Sequence, residues 1–282
     1  MKTTKREEVT KQQHILTALI GALAGLLVTG CEKEIDIDYR DSSGMYVCEA
    51  QLSQNGANVR LTTTQPVTEN SQKGHIVTGA TVVLSTGSGE VLDTLGYNGN
   101  GNYRSAVAGV EGETYQIDID VDGHHFSSQS TMQQAAVVDS FRFVWKSFFG
   151  KRILFADLRL KDIPRQQNCY FMHIYRNGIG YRWAVMTDEQ NPGGELQQLF
   201  SCTTEDDMKN NKEDALRDGD AISVEVRSID RRSYDYLYSL QVMDNGGTNP
   251  VSNFSGGCLG YFSAYHMQNL KCTFSTADVE SE

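Results

Sequence analysis

Basic charge is scarce in this chain: 25 Lys and Arg stand against 36 Asp and Glu, a formal net charge of −11. So acidic a surface repels nucleic acid phosphates and argues against a polybasic membrane patch. Long apolar runs are scarce too. Beyond residues 1–30, no segment approaches the roughly 20 apolar residues that a membrane-spanning helix requires. Extended helical periodicity is also missing, while Gly and Thr are abundant, which favours strands. An even set of cysteines is lacking as well. Beside Cys31 there are Cys48, Cys169, Cys202, Cys258 and Cys272, so at least one thiol stays unpaired, and core packing is the default for such residues. Spacing assigns no pair among them.

What is present begins at the amino terminus. Lys2, Lys5, Arg6 and Lys11 precede an apolar stretch from Ile15 to Val28, as a secretory signal peptide requires. Val28-Thr29-Gly30-Cys31 resembles a bacterial lipobox, which implies cleavage before Cys31 and acylation of that residue. Several acyl chains anchor a protein firmly where one does not. Loss of residues 1–30 removes four basic and two acidic side chains and takes the net charge from −11 to −13. Glu32-Lys33-Glu34-Ile35-Asp36-Ile37-Asp38 then reads as a charged tether over residues 31–43. It resembles the export signal that places lipoproteins of the Bacteroidota on the outer face of the outer membrane.

The body divides into an expected β-sandwich over residues 44–133 and a second, larger β domain over 134–276, with a polar tail at 277–282. In the first part, Met45–Leu52, Val59–Thr64, Ala80–Ser85, Val91–Leu95, Thr114–Val121 and His125–Ser130 are short β-rich runs between turn residues, the spacing of an immunoglobulin-like or transthyretin-like sandwich. Tyr115, Ile117, Ile119 and Val121 alternate with polar residues, as on a strand with one buried face. Asp122-Gly123 predicts the following hairpin turn. After a hinge near Gln133–Ala136, aromatic residues concentrate from Phe141 to Phe155. Ile153–Leu160, Cys169–Tyr175, Tyr181–Met186, Ala221–Ser228 and Leu259–Tyr265 read as strands, with a long polar loop at Thr203–Asp220. Asp230 predicts the cap of one short helix carrying Tyr234, Leu237, Tyr238 and Gln241, ended by Asn245-Gly246-Gly247. The tail after Phe274 is polar and predicts fraying.

Several blocks together resemble one family. They are Glu32–Asp36, Gly79-Ala80-Thr81-Val82, Gly109–Tyr115, Val224–Asp230 with Tyr234 and Tyr236, and Asn249–Asn253 running into Gly256–Ala264. The chain resembles the Bacteroidota lipoprotein family catalogued as domain of unknown function 4249. That resemblance implies an outer-membrane lipoprotein that accompanies TonB-dependent transporters, with no enzymatic activity; together with the anchor and the acidic tether it predicts a surface-exposed accessory in nutrient capture. It supplies no ligand, so a small-molecule or glycan ligand is left unnamed. The alternative is a structural or adhesive module of a surface assembly.

Weighed singly, the chemistry-bearing motifs predict no catalytic set, no metal and no cofactor. Asp118, Asp120, Asp122 and Gly123 match the first half of a calcium loop, but its twelfth position is Gln129 and its flanks are strands. Gly256-Gly257-Cys258-Leu259-Gly260 has the outline of a nucleophile elbow, yet a strand pattern follows in place of a helix. Cys169 and His173 would lie about 13 Å apart at roughly 3.3 Å per residue, too far for proton transfer. His124 and His125 point to opposite faces. Of the aromatic set Tyr170, Tyr175, Tyr181, Trp183, Tyr234, Tyr236 and Tyr238, core packing is the default, and Tyr236 is the one expected to be exposed for binding. Asp93-Thr94-Leu95 resembles a short acceptor sequence for O-glycosylation, with Thr94 as the acceptor.

Overall fold

The computed structural model describes residues 44–65, 74–189, 191–243 and 250–281. The signal segment, Cys31 and the tether lie outside these residues. The front of the chain forms β1 (Tyr46–Ser53), β2 (Gly56–Thr63), β3 (His75–Ile76), β4 (Thr81–Thr86), β5 (Val91–Thr94), β6 (Gly96–Tyr97), β7 (Asn102–Ser105), β8 (Thr114–Val121) and β9 (His124–Thr131). The alternation read from residue 115 to 121 is the observed one, with Tyr115, Ile117, Ile119 and Val121 buried. Asp122 and Gly123 both adopt positive φ, +49° and +78°, which is what a tight hairpin between right-twisted strands demands.

The second half supplies β10 (Val137–Phe148), β11 (Lys151–Lys161), β12 (Cys169–Arg176), β13 (Ile179–Thr187), β14 (Glu195–Thr204), α1 (Glu205–Lys209), β15 (Ala221–Ile229), α2 (Arg231–Met243), β16 (Leu259–Ala264), β17 (His266–Thr273) and β18 (Glu280–Ser281). The fold is all-β, with four sheets stacked as two sandwiches. In front, a sheet ordered β16-β1-β2-β7-β6, with β3 on β2, faces a sheet ordered β5-β4-β8-β9. Behind, β14-β11-β10-β18 faces β13-β12-β15-β17. Two apolar cores follow, one built on residues such as Leu61, Ile117 and Phe262, the other on Leu158, Met172, Val224 and Phe274.

Three differences from the sequence expectations have physical causes. The loop expected at Thr203–Asp220 contains α1, because the Thr204 side chain accepts from the Asp207 backbone N–H and three acids fill the first turn. The tail is not frayed: Glu280 and Ser281 pair in parallel with Val144 and Trp145, Val279 packs on the second core, and Glu280 binds Arg142. Finally β16, expected among the strands of the second domain, pairs in parallel with β1 from Val47↔Leu259 to Leu52↔Ala264. Parallel neighbours need a long crossover, and here nearly the whole chain is that crossover. The described residues accordingly belong to one compact unit.

Candidate binding face

The sheet β13-β12-β15-β17 buries both of its faces over part of its length. Along β12, Tyr170, Met172 and Ile174 enter the core shared with the opposing sheet, while Cys169 and Phe171 turn outward into a third apolar cluster. Two elements cover that outer face. One is α2, which lays Tyr236 and Leu237 on it; the other is β16 with its continuation, which contributes Tyr261 and Tyr265. Helix α2 starts where the sequence indicates, with Asp230 Oδ1 accepting from the Ser233 N–H at 2.8 Å. The other oxygen of Asp230 accepts from Ser130 Oγ and the Thr131 N–H, so one cap also ties the helix to the front sandwich.

The block from Ser252 to Gly260 is the latch that seats β16. Asn253 is buried; its Oδ1 accepts from the Phe262 N–H at 2.8 Å and from Ser128 Oγ at 3.0 Å, and its amide donates to the Phe262 carbonyl at 2.9 Å. Ser252 Oγ donates to the Cys258 and Gly260 carbonyls. Gly260 has φ +103°, and a Cβ there would overlap the Cys48 carbonyl oxygen. Only glycine lets the two parallel strands approach at this point. Alternate residues of β16 then serve two clusters, Phe262 and Ala264 the front core and Tyr261 the outer face of the rear sheet.

At the seam between sandwiches sits Arg227, an ion-paired partner of Glu225 on the same strand face. Its guanidinium lies over the rings of Tyr265 at 4.4 Å and Phe171 at 5.0 Å. Gln51 of the front sheet joins the group, accepting from Tyr265 Oη at 3.1 Å and donating to Tyr261 Oη at 3.4 Å. Glu225 is buried and accepts from Tyr175 Oη at 3.4 Å. Burial pushes Tyr265 up to about 12, despite Arg227 pulling the other way. His173 is held below its ordinary value by burial, against the opposing pull of Glu225. The cluster is thus a fixed charge pair enclosed by rings at the seam, short of any activated nucleophile. Cys169 lies on the same face beneath the helix, and burial raises its thiol to about 12, the reverse of what nucleophilic attack needs.

Beyond the reach of α2 and β16 the same face is only partly covered: Glu225 is still buried, while Trp183, His173, Tyr175 and Ser223 are half-buried. Strand register sets Trp183 beside His173, His173 beside Glu225, and Glu225 beside Asn269; one row further, Gly180, Tyr175, Ser223 and Lys271 stand in line. The rings of His173 and Tyr175 are 4.1 Å apart. Gly180 makes room for them, since a Cβ there would come within 2.9 Å of His173 Nε2. At the end of these strands lies an open depression of about 450 Å³ lined by residues of both sheet faces, Ser223 and Lys271 from this one and Ile222 and Cys272 from the other among them.

The residues singled out from sequence fare unevenly. Tyr236 is a correction: it is 8 % exposed and stacked on Tyr261 with centroids 4.7 Å apart, whereas Tyr238 is 49 % exposed. Helical spacing distinguishes faces but does not say which face a sheet will cover, and here the covered face holds Tyr236 with Leu237. Cys258 is buried, and burial raises its thiol to about 12. The acids of the half calcium loop are taken up by side chains: Asp118 accepts from Gln116, Asp118 and Asp120 flank His125 at 3.7 and 2.9 Å, and Asp122 accepts from Tyr46. Thr94 stands at the exposed end of β5, beside an Asp93 carboxylate that accepts from Ser105. All five described cysteines are free, with Cys272 exposed. Sequence reasoning missed Glu225 and Arg227, although opposite charges two residues apart in a strand were a usable signal.

A family model described as a domain of unknown function, DUF4249, matches residues 32–270. The chain belongs to that family. None of the curated proteins matches it.

Proposed function

We propose that the chain is a lipid-anchored lipoprotein of the outer membrane, exposed at the cell surface, that assists a TonB-dependent transporter in nutrient capture. The observation that carries this reading is Val28-Thr29-Gly30-Cys31 after a charged and apolar leader, followed by an acidic tether. Acylated Cys31 would be the membrane contact, in keeping with a chain too acidic for a basic one.

Affinity capture of the tagged, full-length protein from solubilised outer membranes tests the proposal. Co-recovery of a transporter barrel is the expected result; recovery without any barrel overturns it. A second reading, a structural or adhesive module of a surface assembly, is favoured by the β10–β11 turn, where Phe148 is half-exposed and Phe149 fully exposed. Growth of a deletion strain separates the two, through a nutrient-specific defect for uptake and an adhesion defect for assembly.

A further inference from the structure

We propose that the loops joining β11 to β12 and β13 to β14 meet to form a calcium site, with Asp162, Asp188 and the backbone carbonyls of Ile163 and Gln166 as ligands. Asn168 holds the two loops together. It is buried, and its backbone N–H donates to Asp188 Oδ2 at 2.9 Å. Its amide nitrogen lies 2.9 Å from Asp162 Oδ1, 2.9 Å from Asp188 Oδ2, 2.8 Å from the Ile163 carbonyl and 3.2 Å from the Gln166 carbonyl. Four oxygens, two of them from carboxylates, thus converge on a nitrogen with only two protons to give.

Charge and burial point the same way. Asp188 is 2 % exposed and Asp162 half-buried, and buried carboxylates are ordinarily paired with a cation or bound to a metal. Among the described residues neither forms an ion pair; the neighbouring cations Arg159 and Lys161 bind Asp157, Glu195 and Asp139 instead. Tyr170 supplies an observation independent of the loops. Its Oη is wholly buried and has no partner at hydrogen-bond geometry. It faces the two acids: burial first, then the charges of Asp162 and Asp188, raise the phenol above its ordinary value. A bound ion accounts for such an orphaned group beside uncompensated charge.

The ligand chemistry selects the ion. The donors are all oxygens, with none of the nitrogen or sulfur that zinc favours. The shell around the amide nitrogen has to contract by about half an ångström to reach calcium's oxygen distances of roughly 2.3–2.6 Å, and calcium accepts irregular sets of carboxylates and carbonyls. Magnesium demands a tighter octahedron at about 2.0 Å. A turn of the Asn168 side chain frees the centre of the shell and leaves its own Oδ1 available as a further ligand. Gln166 is exposed, so solvent reaches this edge of the site. The inference does not rest on the nutrient-capture reading and needs no transporter.

The test is calorimetric titration of calcium chloride into the full-length acylated protein, held in a non-ionic detergent and stripped of divalent ions with a chelator. A single ion per chain should bind with a Kd of about 10⁻⁴–10⁻³ M, the range of extracellular modules. Calcium at about ten times that Kd should also raise the thermal unfolding midpoint, and the same concentration of magnesium should not. Asp162→Asn should weaken calcium binding about tenfold or more and remove the rise, because affinity follows the charge of the ligand set. Asp188→Asn should do the same; if that variant does not fold, Asp162→Asn and the magnesium comparison carry the test. Absence of calcium binding, an equal rise with magnesium, or binding that Asp162→Asn leaves unchanged, the mark of ions scattered over an acidic surface, overturns the inference.

Discussion

The two sheets of the rear sandwich both bury residues on the face turned away from their shared core, and they do so by opposite means. On the sheet β14-β11-β10-β18 the cover is ionic. Asp157 has a side chain only 1 % exposed, paired with Arg142 at 3.2 Å and Arg159 at 3.3 Å and accepting from Gln197 at 2.8 Å. Arg142 in turn binds Glu280 and Arg159 binds Glu195. On the sheet β13-β12-β15-β17 the cover is a helix and an aromatic strand, with a single charge pair enclosed. A charge lattice depends on protonation, while an apolar lid depends on the backbone geometry that seats it. The two faces should therefore fail under different insults.

The largest effect is expected from unseating the lid. Gly260→Val should lower stability by about 4 kcal/mol or more, because a positive φ and a backbone overlap combine, and denaturant unfolding will measure it. Tyr236→Ala removes the helix's stacked anchor from the same lid and should cost about 3 kcal/mol, in the range for large-to-small core changes.

The ionic cover responds to pH instead. Burial alone would raise the Asp157 carboxyl, but hydrogen bonds from Gln197, Arg142 and Arg159 outweigh it and hold the group below its ordinary value. A carboxylate lowered in the folded state contributes stability that is present above its unfolded pKa of about 4 and lost as pH falls through the folded value. Asp157→Asn should thus cost about 2 kcal/mol near neutrality. It should also flatten the dependence of the unfolding midpoint on pH below about 4. A variant with unchanged acid sensitivity would show that the lattice is not what covers this sheet. The smallest effect belongs to Tyr238→Ala, on the exposed side of α2, within about 0.5 kcal/mol; a loss comparable to that of Tyr236→Ala would erase the distinction between the helix faces.

Much of the fold was legible where one physical signal dominated. The alternation from Tyr115 to Val121 and the Asp122-Gly123 turn are local, and both sit as the pattern implies. Asp230 announced its helix because capping is a matter of neighbouring backbone groups. The binding face was less legible. Trp183 and Tyr175 stood in the aromatic set, but nothing in the spacing says that His173 joins them or that Gly180 opens space beside it. Tyr236 was misjudged because the element that covers it, β16, comes from a different part of the chain and is seated by Asn253 and Gly260. The same block, one of those quoted for the family resemblance, has a structural role here.

By itself the amino-acid sequence determined the strand-rich class, the acidic surface, the helix start at Asp230 and, as an expectation about its leader, a lipid anchor at Cys31. These depend on residue type, local periodicity and short-range spacing. Tertiary structure alone decided that β16 crosses back to lie along β1, that Arg227 is closed between Tyr265 and Phe171, and how far α2 and β16 reach over the rear sheet. The reason is that these features arise from contacts between segments far apart in the chain, and a local pattern carries no information about which surface will come to rest upon it.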